Sequence, residues 1–177
     1  VEMPPEEVPI IQKRIVQSCR DYGIPVVVAT QMLDSMVESP SPTRAEASDV
    51  ATAVFDSADC LMLSAETASG KFPVESVKIM DRIIRGVEND NSYRQILESK
   101  QIKLEETTSD AISSAASQVV KTVLAKAIFT YTRSGATAKR AARERPAVPI
   151  IGLSPERITA RQLSLIHISE PTRRWSI

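Results

Sequence analysis

Two short apolar runs each end in polar residues able to do chemistry. Thr30 and Gln31 follow Val26-Val27-Val28-Ala29, and Ser64 with Glu66 follows Cys60-Leu61-Met62-Leu63. A hydroxyl both donates and accepts a proton, whereas an ionised carboxylate only accepts, so this set could pass a proton or hold an anionic substrate. Polar groups at the C-terminal ends of parallel strands are where α/β barrels place their chemistry. By residue type alone a second reading stands, in which the hydroxyls satisfy backbone groups at strand ends and Glu66 is solvated. Another such place is Thr130-Tyr131-Thr132-Arg133-Ser134-Gly135-Ala136-Thr137, an apolar run that ends in a hydroxyl-rich turn with Gly and opens onto a helix. That pattern aims backbone N–H groups and the positive end of a helix dipole at an anion, although an ordinary capped turn has the same residues. Lys139, Arg140, Arg143 and Arg145 then read as a solvated basic helix face.

The elements that must position these groups follow from the periodicity. Val8, Ile11, Ile15 and Cys19 recur at helical spacing and predict a helix over 5–22, with early prolines tolerated in its first turn and Gly23 ending it. The β-branched run 26–29 lacks alternation and predicts a strand buried on both faces, as parallel strands are. Residues 34–42 hold two prolines and three serines and read as a loop. Thr43 with Glu46 three residues later is a capping-box signature, and Val50, Ala51, Val54 and Phe55 continue a helical stripe. A second buried strand follows at 60–63, then a helix from Pro73 with Val77, Met80, Ile84 and Val87 on one face. From Glu98 to Thr108 the apolar period is lost, which marks a boundary. Beyond it come a helix with Ile112, Ala116, Val119, Val120 and Val123 as its stripe, a strand at 127–131, a helix at 138–145 and a strand at 148–153. Ser154 and Pro155 read as the N-cap and first turn of a last helix. Helices alternating with buried strands define an α/β fold with right-handed crossovers.

Composition narrows the partners. The 177 residues carry 22 basic and 22 acidic side chains, so no net field draws the chain to nucleic acid or to an anionic membrane. No apolar run approaches a membrane span. The opening Val1-Glu2-Met3-Pro4-Pro5 is polar and unlike a signal peptide, and the absent start Met is expected of a chain cut from something longer. Two cysteines, Cys19 in a helix and Cys60 in a strand, suit reduced structural thiols in a cytoplasmic protein.

Three segments, Val28-Ala29-Thr30-Gln31-Met32-Leu33-Asp34-Ser35-Met36, Pro42-Thr43-Arg44-Ala45-Glu46-Ala47-Ser48-Asp49-Val50-Ala51 and Met62-Leu63-Ser64-Ala65-Glu66-Thr67-Ala68, closely resemble consecutive signatures of the pyruvate kinases, with Ala65 where the family usually has Gly. The resemblance implies the closing part of a TIM (β/α)8 barrel followed by a truncated α/β C-terminal domain. Residues 1–98 would be the last two βα units of the barrel, 99–108 a linker and 109–163 part of the effector domain. The parent enzyme would transfer the phosphoryl group of phosphoenolpyruvate to ADP, giving pyruvate and ATP. The family's patterns imply that Thr30 and Gln31 bind substrate, that Thr30, Ser64 and Glu66 serve catalysis by relaying a proton to the enolpyruvate carbon, and that Arg44 lies at a subunit interface of a homotetramer. Thr132, Ser134, Gly135 and Thr137 would cradle the phosphate of a sugar-phosphate effector. Ala136 stands where some fructose-bisphosphate-activated members have a longer residue, so the effector's identity stays open. The Mg2+ and K+ that the family uses would be held upstream of Val1, together with the catalytic lysine, so this chain alone is expected to be inactive. A rival reading from another class is a non-catalytic sugar-phosphate-binding module. Residues 164–177 are expected to be a non-native tail, since Ile166-His167-Ile168-Ser169-Glu170-Pro171-Thr172 resembles a translated sequencing adapter.

Overall fold

A computed structural model describes residues 4–29, 31–100, 102 and 105–164. Thr30 and residues 165–177, the latter making up nearly all of the suspected tail, lie outside them. The chain forms two compact units, one of residues 1–17 and 26–101, the other of residues 18–25 and 102–177.

A 3-10 turn over Pro5–Glu7 leads into helix α1 (Val8–Asp21), of which residues 8–17 belong to the first unit and 18–21 to the second; in the first unit β1 (Val27–Ala29) follows. A 3-10 turn over Asp34–Val37 precedes α2 (Arg44–Phe55), then come β2 (Cys60–Met62), the single-turn α3 (Ala65–Ala68), α4 (Pro73–Glu88) and α5 (Asn91–Ser99). Strands β1 and β2 are parallel, in register Val27↔Cys60, Val28↔Leu61 and Ala29↔Met62. A parallel pair needs a crossover, and α2 supplies it. Its start is fixed by the predicted capping box: Thr43 Oγ1 accepts from the Glu46 N–H at 3.3 Å, and the Glu46 carboxylate accepts from the Thr43 N–H at 2.7 Å. Pro73 opens α4, where its missing N–H costs nothing. The core gathers Val16, Val28, Met32, Leu33, Met36, Val50, Ala53 and Met80, and a second cluster packs Val54, Val87 and Leu97 around Tyr93, whose ring meets Phe55 edge to face at 6.0 Å.

Several expectations are corrected in this unit: Val8 and Ile15 of the stripe predicted for α1 are exposed, and so is Met62 of β2. The stretch 34–42 is not all irregular, because Leu33 and Met36 are fully buried and wind residues 34–37 into a turn between them. Strand β1 is not buried on both faces: Val28 is inside while Val27 is 49% exposed, since each strand has one neighbour and a single covered face. On α4 the inner row is Ser76, Met80 and Val87, with Val77 exposed. Ser76 can face inward because its hydroxyl donates to the Phe72 carbonyl four residues back, at 2.8 Å.

In the second unit α6 (Thr108–Val123) leads to β3 (Ile128–Tyr131), α7 (Ala136–Arg143), β4 (Ile150–Leu153) and α8 (Arg157–Leu163). The strands pair in parallel from Ile128↔Ile150 to Tyr131↔Leu153. Thr107 caps α6 by accepting from the Asp110 N–H, and Leu124 ends the helix in the left-handed conformation. The inner face of α6 is Asp110, Ser113 and Val120, whereas Ile112, Val119 and Val123 of the predicted stripe are exposed. Again the polar residues bring their own partners inside: Ser113 donates to the Ser109 carbonyl, and Asp110 meets two arginines. Helix α8 is capped at Glu156, not at Ser154, whose hydroxyl instead accepts from the Glu156 N–H in the preceding turn.

Candidate functional site

The register of β1 and β2 sets Ala29 beside Met62, so the residues that leave both strands emerge at one end of the sheet. Gln31 and Ser64 are thereby brought to the same rim. Gln31 is exposed and takes φ 54°, a left-handed backbone rarely adopted by a residue with a side chain. Ser64 starts α3 with φ −117° and ψ −101°, and its carbonyl accepts from the Thr67 and Ala68 N–H groups. Glu66 is 2% exposed and does not project into solvent, which removes the solvated reading. Its Oε1 accepts from the Leu33 N–H at 3.1 Å and its Oε2 from the Ser64 N–H at 2.7 Å, so one carboxylate ties the turn after β1 to the turn after β2. Arg44 occupies the first position of α2 and is exposed.

Sequence reasoning saw Glu46 only as a capping residue, yet it also reaches back to the turn after β1. Its carboxylate accepts from the Ser35 N–H at 2.6 Å and from the Ser35 hydroxyl. Burial pushes this carboxyl up, but the bonds from Ser35 and Thr43 outweigh it and bring the pKa down to about 2. The Lys71 N–H donates to the Val37 carbonyl at 2.8 Å, a third tie on the same segment. A shallow depression lined by Pro40, Glu75, Lys78, Ile79, Asp81 and Arg82 contains none of the sequence-predicted residues.

In the second unit the hydroxyls of the turn between β3 and α7 bond the turn's own backbone. Thr132 is buried and its Oγ1 accepts from the Gly135 N–H at 3.0 Å; the Ser134 hydroxyl accepts from the Ala136 N–H at 3.4 Å. Gly135 caps α7 at φ 84°, and a Cβ there would press on Leu163 at 3.1 Å, so glycine is required both by conformation and by packing. Thr137 is exposed on the first turn of α7. From outside, the Thr159 hydroxyl donates to the Arg133 carbonyl at 2.7 Å. The turn therefore presents Ser134, Thr137 and the start of α7 on a frame held by Thr132 and Thr159.

The basic residues of α7 correct the expectation of a solvated face. Arg143 is buried and pairs with the fully buried Asp110 at 2.8 Å, and Arg140 meets Asp110 at 3.1 Å. Arg143 also donates to the Asp21 carbonyl, while Arg20 donates to the Arg143 carbonyl. Burial pushes the Asp110 carboxyl up, but the Glu105 N–H and the two guanidiniums outweigh it and hold the group below the usual range. Beside it burial keeps the Glu144 carboxyl above its usual range, against the pull of Arg143 and Arg20. Thr107 with Asp110 three residues on was the available signal for this arrangement, as an N-cap pattern just past the polar linker.

Among the described residues no three His, Cys, Asp or Glu side chains are grouped to hold a metal ion, and no helix is long and apolar enough to cross a membrane.

Parallel strand pairs with crossover helices, and polar groups leaving the strands at one rim, define an α/β protein. The comparisons with known proteins agree. The pyruvate kinase barrel domain matches residues 1–77 and the pyruvate kinase alpha/beta domain residues 110–172. A pyruvate kinase of Agrobacterium vitis is 53% identical over 94% of this chain, and one of Methylorubrum extorquens is 53% identical over 93%. A crystal structure of a pyruvate kinase from Cryptosporidium parvum superposes with a TM-score of 0.83 at 40% identity, over 93% of this chain and 34% of its own. The chain belongs to the pyruvate kinase family, whose members are phosphotransferases, and carries parts of its barrel and α/β domains. It spans about a third of the length of the curated relatives it matches, 35% for the Agrobacterium protein.

Proposed function

We propose that the full-length protein containing this chain is a cytoplasmic pyruvate kinase, transferring the phosphoryl group of phosphoenolpyruvate to ADP. The observation that carries the reading is the common rim: Gln31 and Ser64, from two separate family signatures, leave paired strands at the same end. In this reading Thr30 and Gln31 bind phosphoenolpyruvate, and the Thr30 and Ser64 hydroxyls handle the proton that turns enolpyruvate into pyruvate. Hydroxyls suit that step because each can accept from one neighbour while donating to the next. Arg44, exposed at a helix start where a cation opposes the dipole, would meet a carboxylate of a neighbouring subunit in a homotetramer. Mg2+ and K+ would neutralise the transferring group and would be held by residues outside this chain. The turn with Thr132, Ser134, Gly135 and Thr137 would bind the phosphate of a sugar-phosphate effector, Thr132 and Gly135 shaping it and Ser134 and Thr137 facing the ligand. No observation favours the alternative of a purely non-catalytic module.

A coupled assay of pyruvate formation in the full-length protein tests the reading. Thr30→Ala should lower kcat at least tenfold with a smaller change in KM. A loss confined to KM would remove Thr30 from the proton step, and no turnover in the unsubstituted protein would remove the activity altogether.

A further inference from the structure

We infer that Glu66 and Glu46 form a two-point carboxylate clamp that positions the rim segment from residue 31 to 37 and the Ser64 turn, with Glu66 acting as a positioning residue and not as a proton carrier. The inference rests on the kinase reading above for the reaction that the segment serves. Glu66 is almost fully buried, and each of its oxygens is occupied by a backbone N–H, one from Leu33 and one from Ser64. Protonation at the remaining lone pair of either oxygen would make it a poorer acceptor and weaken the bond from the Leu33 or the Ser64 N–H, so the geometry favours the ionised, holding form. Glu46 grips the same segment two residues later, through the Ser35 N–H and hydroxyl, while its other bonds lock it to the start of α2 through Thr43. Leu33 and Met36, both fully buried, anchor the segment from the core side between these two grips.

Gln31 gives the clamp a reason. Its left-handed φ of 54° is uncommon in a residue with a side chain. Leu33, two residues on, is fixed by Glu66, and Ala29, two residues back, is fixed by its pairing with Met62. Gln31 is thus tied to a held neighbour, and the segment from residue 31 to 37 is set before a substrate arrives. Neither carboxylate needs to touch substrate to do this.

Two measurements on the full-length protein, amide hydrogen exchange and steady-state kinetics, separate a clamp from a relay. Glu66→Gln keeps one acceptor oxygen and turns a donor toward the other N–H. Exchange at Leu33 or Ser64 should then accelerate at least tenfold, and kcat should fall with no change in the shape of its pH profile. Glu46→Gln should reproduce the pattern at Ser35 with a fall in kcat of a few fold, although it lies on the far side of the segment. The inference is overturned if Glu66→Gln removes an ionisation from the pH profile while Leu33 and Ser64 stay protected, or if Glu46→Gln changes neither exchange nor rate. Should Glu66→Gln fail to fold, the Glu46→Gln result decides by itself. If the unsubstituted protein makes no pyruvate, the kinase reading fails while the exchange data still decide the clamp.

Discussion

At Glu46 a single carboxylate serves as helix cap and loop anchor, and its titration carries both roles. With the folded pKa near 2 against an ordinary 4.5, the ionised group contributes stability that is complete above about pH 4.5 and is lost as the pH falls through about 2. Glu46→Gln should therefore flatten the acid limb of the stability curve between those values, and at pH 7 lower the stability of the first unit by about 1–2 kcal/mol in urea titrations, the usual cost of losing a cap. Asp110 has the same sign, its stabilising charge vanishing as the pH drops below its ordinary 3.8. Substitution there is harsher, because Asp110→Asn leaves the buried Arg143 only its longer contact to Glu144, at 3.6 Å. We expect a loss of ~3–5 kcal/mol by thermal or urea denaturation, and partial recovery when Arg143→Met removes the stranded cation as well.

Among the turns, two glycines show how closely the elements are set. A Cβ on Gly70 would lie 2.6 Å from the Glu66 carbonyl oxygen, a backbone atom that cannot step aside without moving α3. Gly70→Ala should thus shift the Glu66 carboxylate with its helix, and exchange at Leu33 and Ser64 reports that shift. In the anion turn, Ser134→Glu should abolish activation of the full-length protein by a sugar phosphate and leave its basal rate nearly intact, because the new carboxylate occupies the space the phosphate would take; activation that survives would remove the turn from effector binding. The strands, the start of α2 and the place of α4 were legible in the sequence, since β-branched runs, a capping box and a Pro at a first turn are local signals. The inner faces of α4 and α6 were legible only in part: Met80, Ile84, Val87 and Val120 were read as inward, but Ser76, Ser113 and Asp110 were not. Ser76, Ser113 and Asp110 point inward because each finds a partner there, the serines on a carbonyl four residues back and Asp110 on arginines of α7, and no apolar periodicity reports a satisfied polar group. Helix α5, just before the stretch that loses its apolar period, has no counterpart in the sequence reading; its start is set by Asp90 accepting from the Ser92 N–H. Of the candidate site, the residue identities came from the family resemblance, whereas the role of Glu66 needed its burial and its two N–H partners.

As a whole molecule, the 177-residue chain exposes sheet surface that a larger fold would cover. Phe129, Tyr131, Ile151 and Leu153 line one uncovered face of the second pair, and Val27 and Met62 stand exposed on the first. Such faces and unpaired strand edges promote association. Expressed as it stands, the chain should sediment as concentration-dependent oligomers, bind a hydrophobic dye and show no pyruvate formation with magnesium, potassium, ADP and phosphoenolpyruvate; a monodisperse active monomer would contradict this. The pairing registers bear also on the order of folding. Closing Val27 onto Cys60 brings together residues more than thirty positions apart, and Ile128 onto Ile150 about twenty, yet chain-closure entropy grows so slowly with length that the two differ by only ~0.4 kcal/mol. Neither crossover has a decisive kinetic advantage from length. What separates them is the local start of each crossover helix: α2 begins on a reciprocal Thr43–Glu46 cap between neighbours in sequence, whereas α7 begins on a glycine and is held at its far end by a carboxylate more than thirty residues upstream. On that ground the β1–α2–β2 crossover is expected to nucleate from its own residues and the β3–α7–β4 crossover to form after α6.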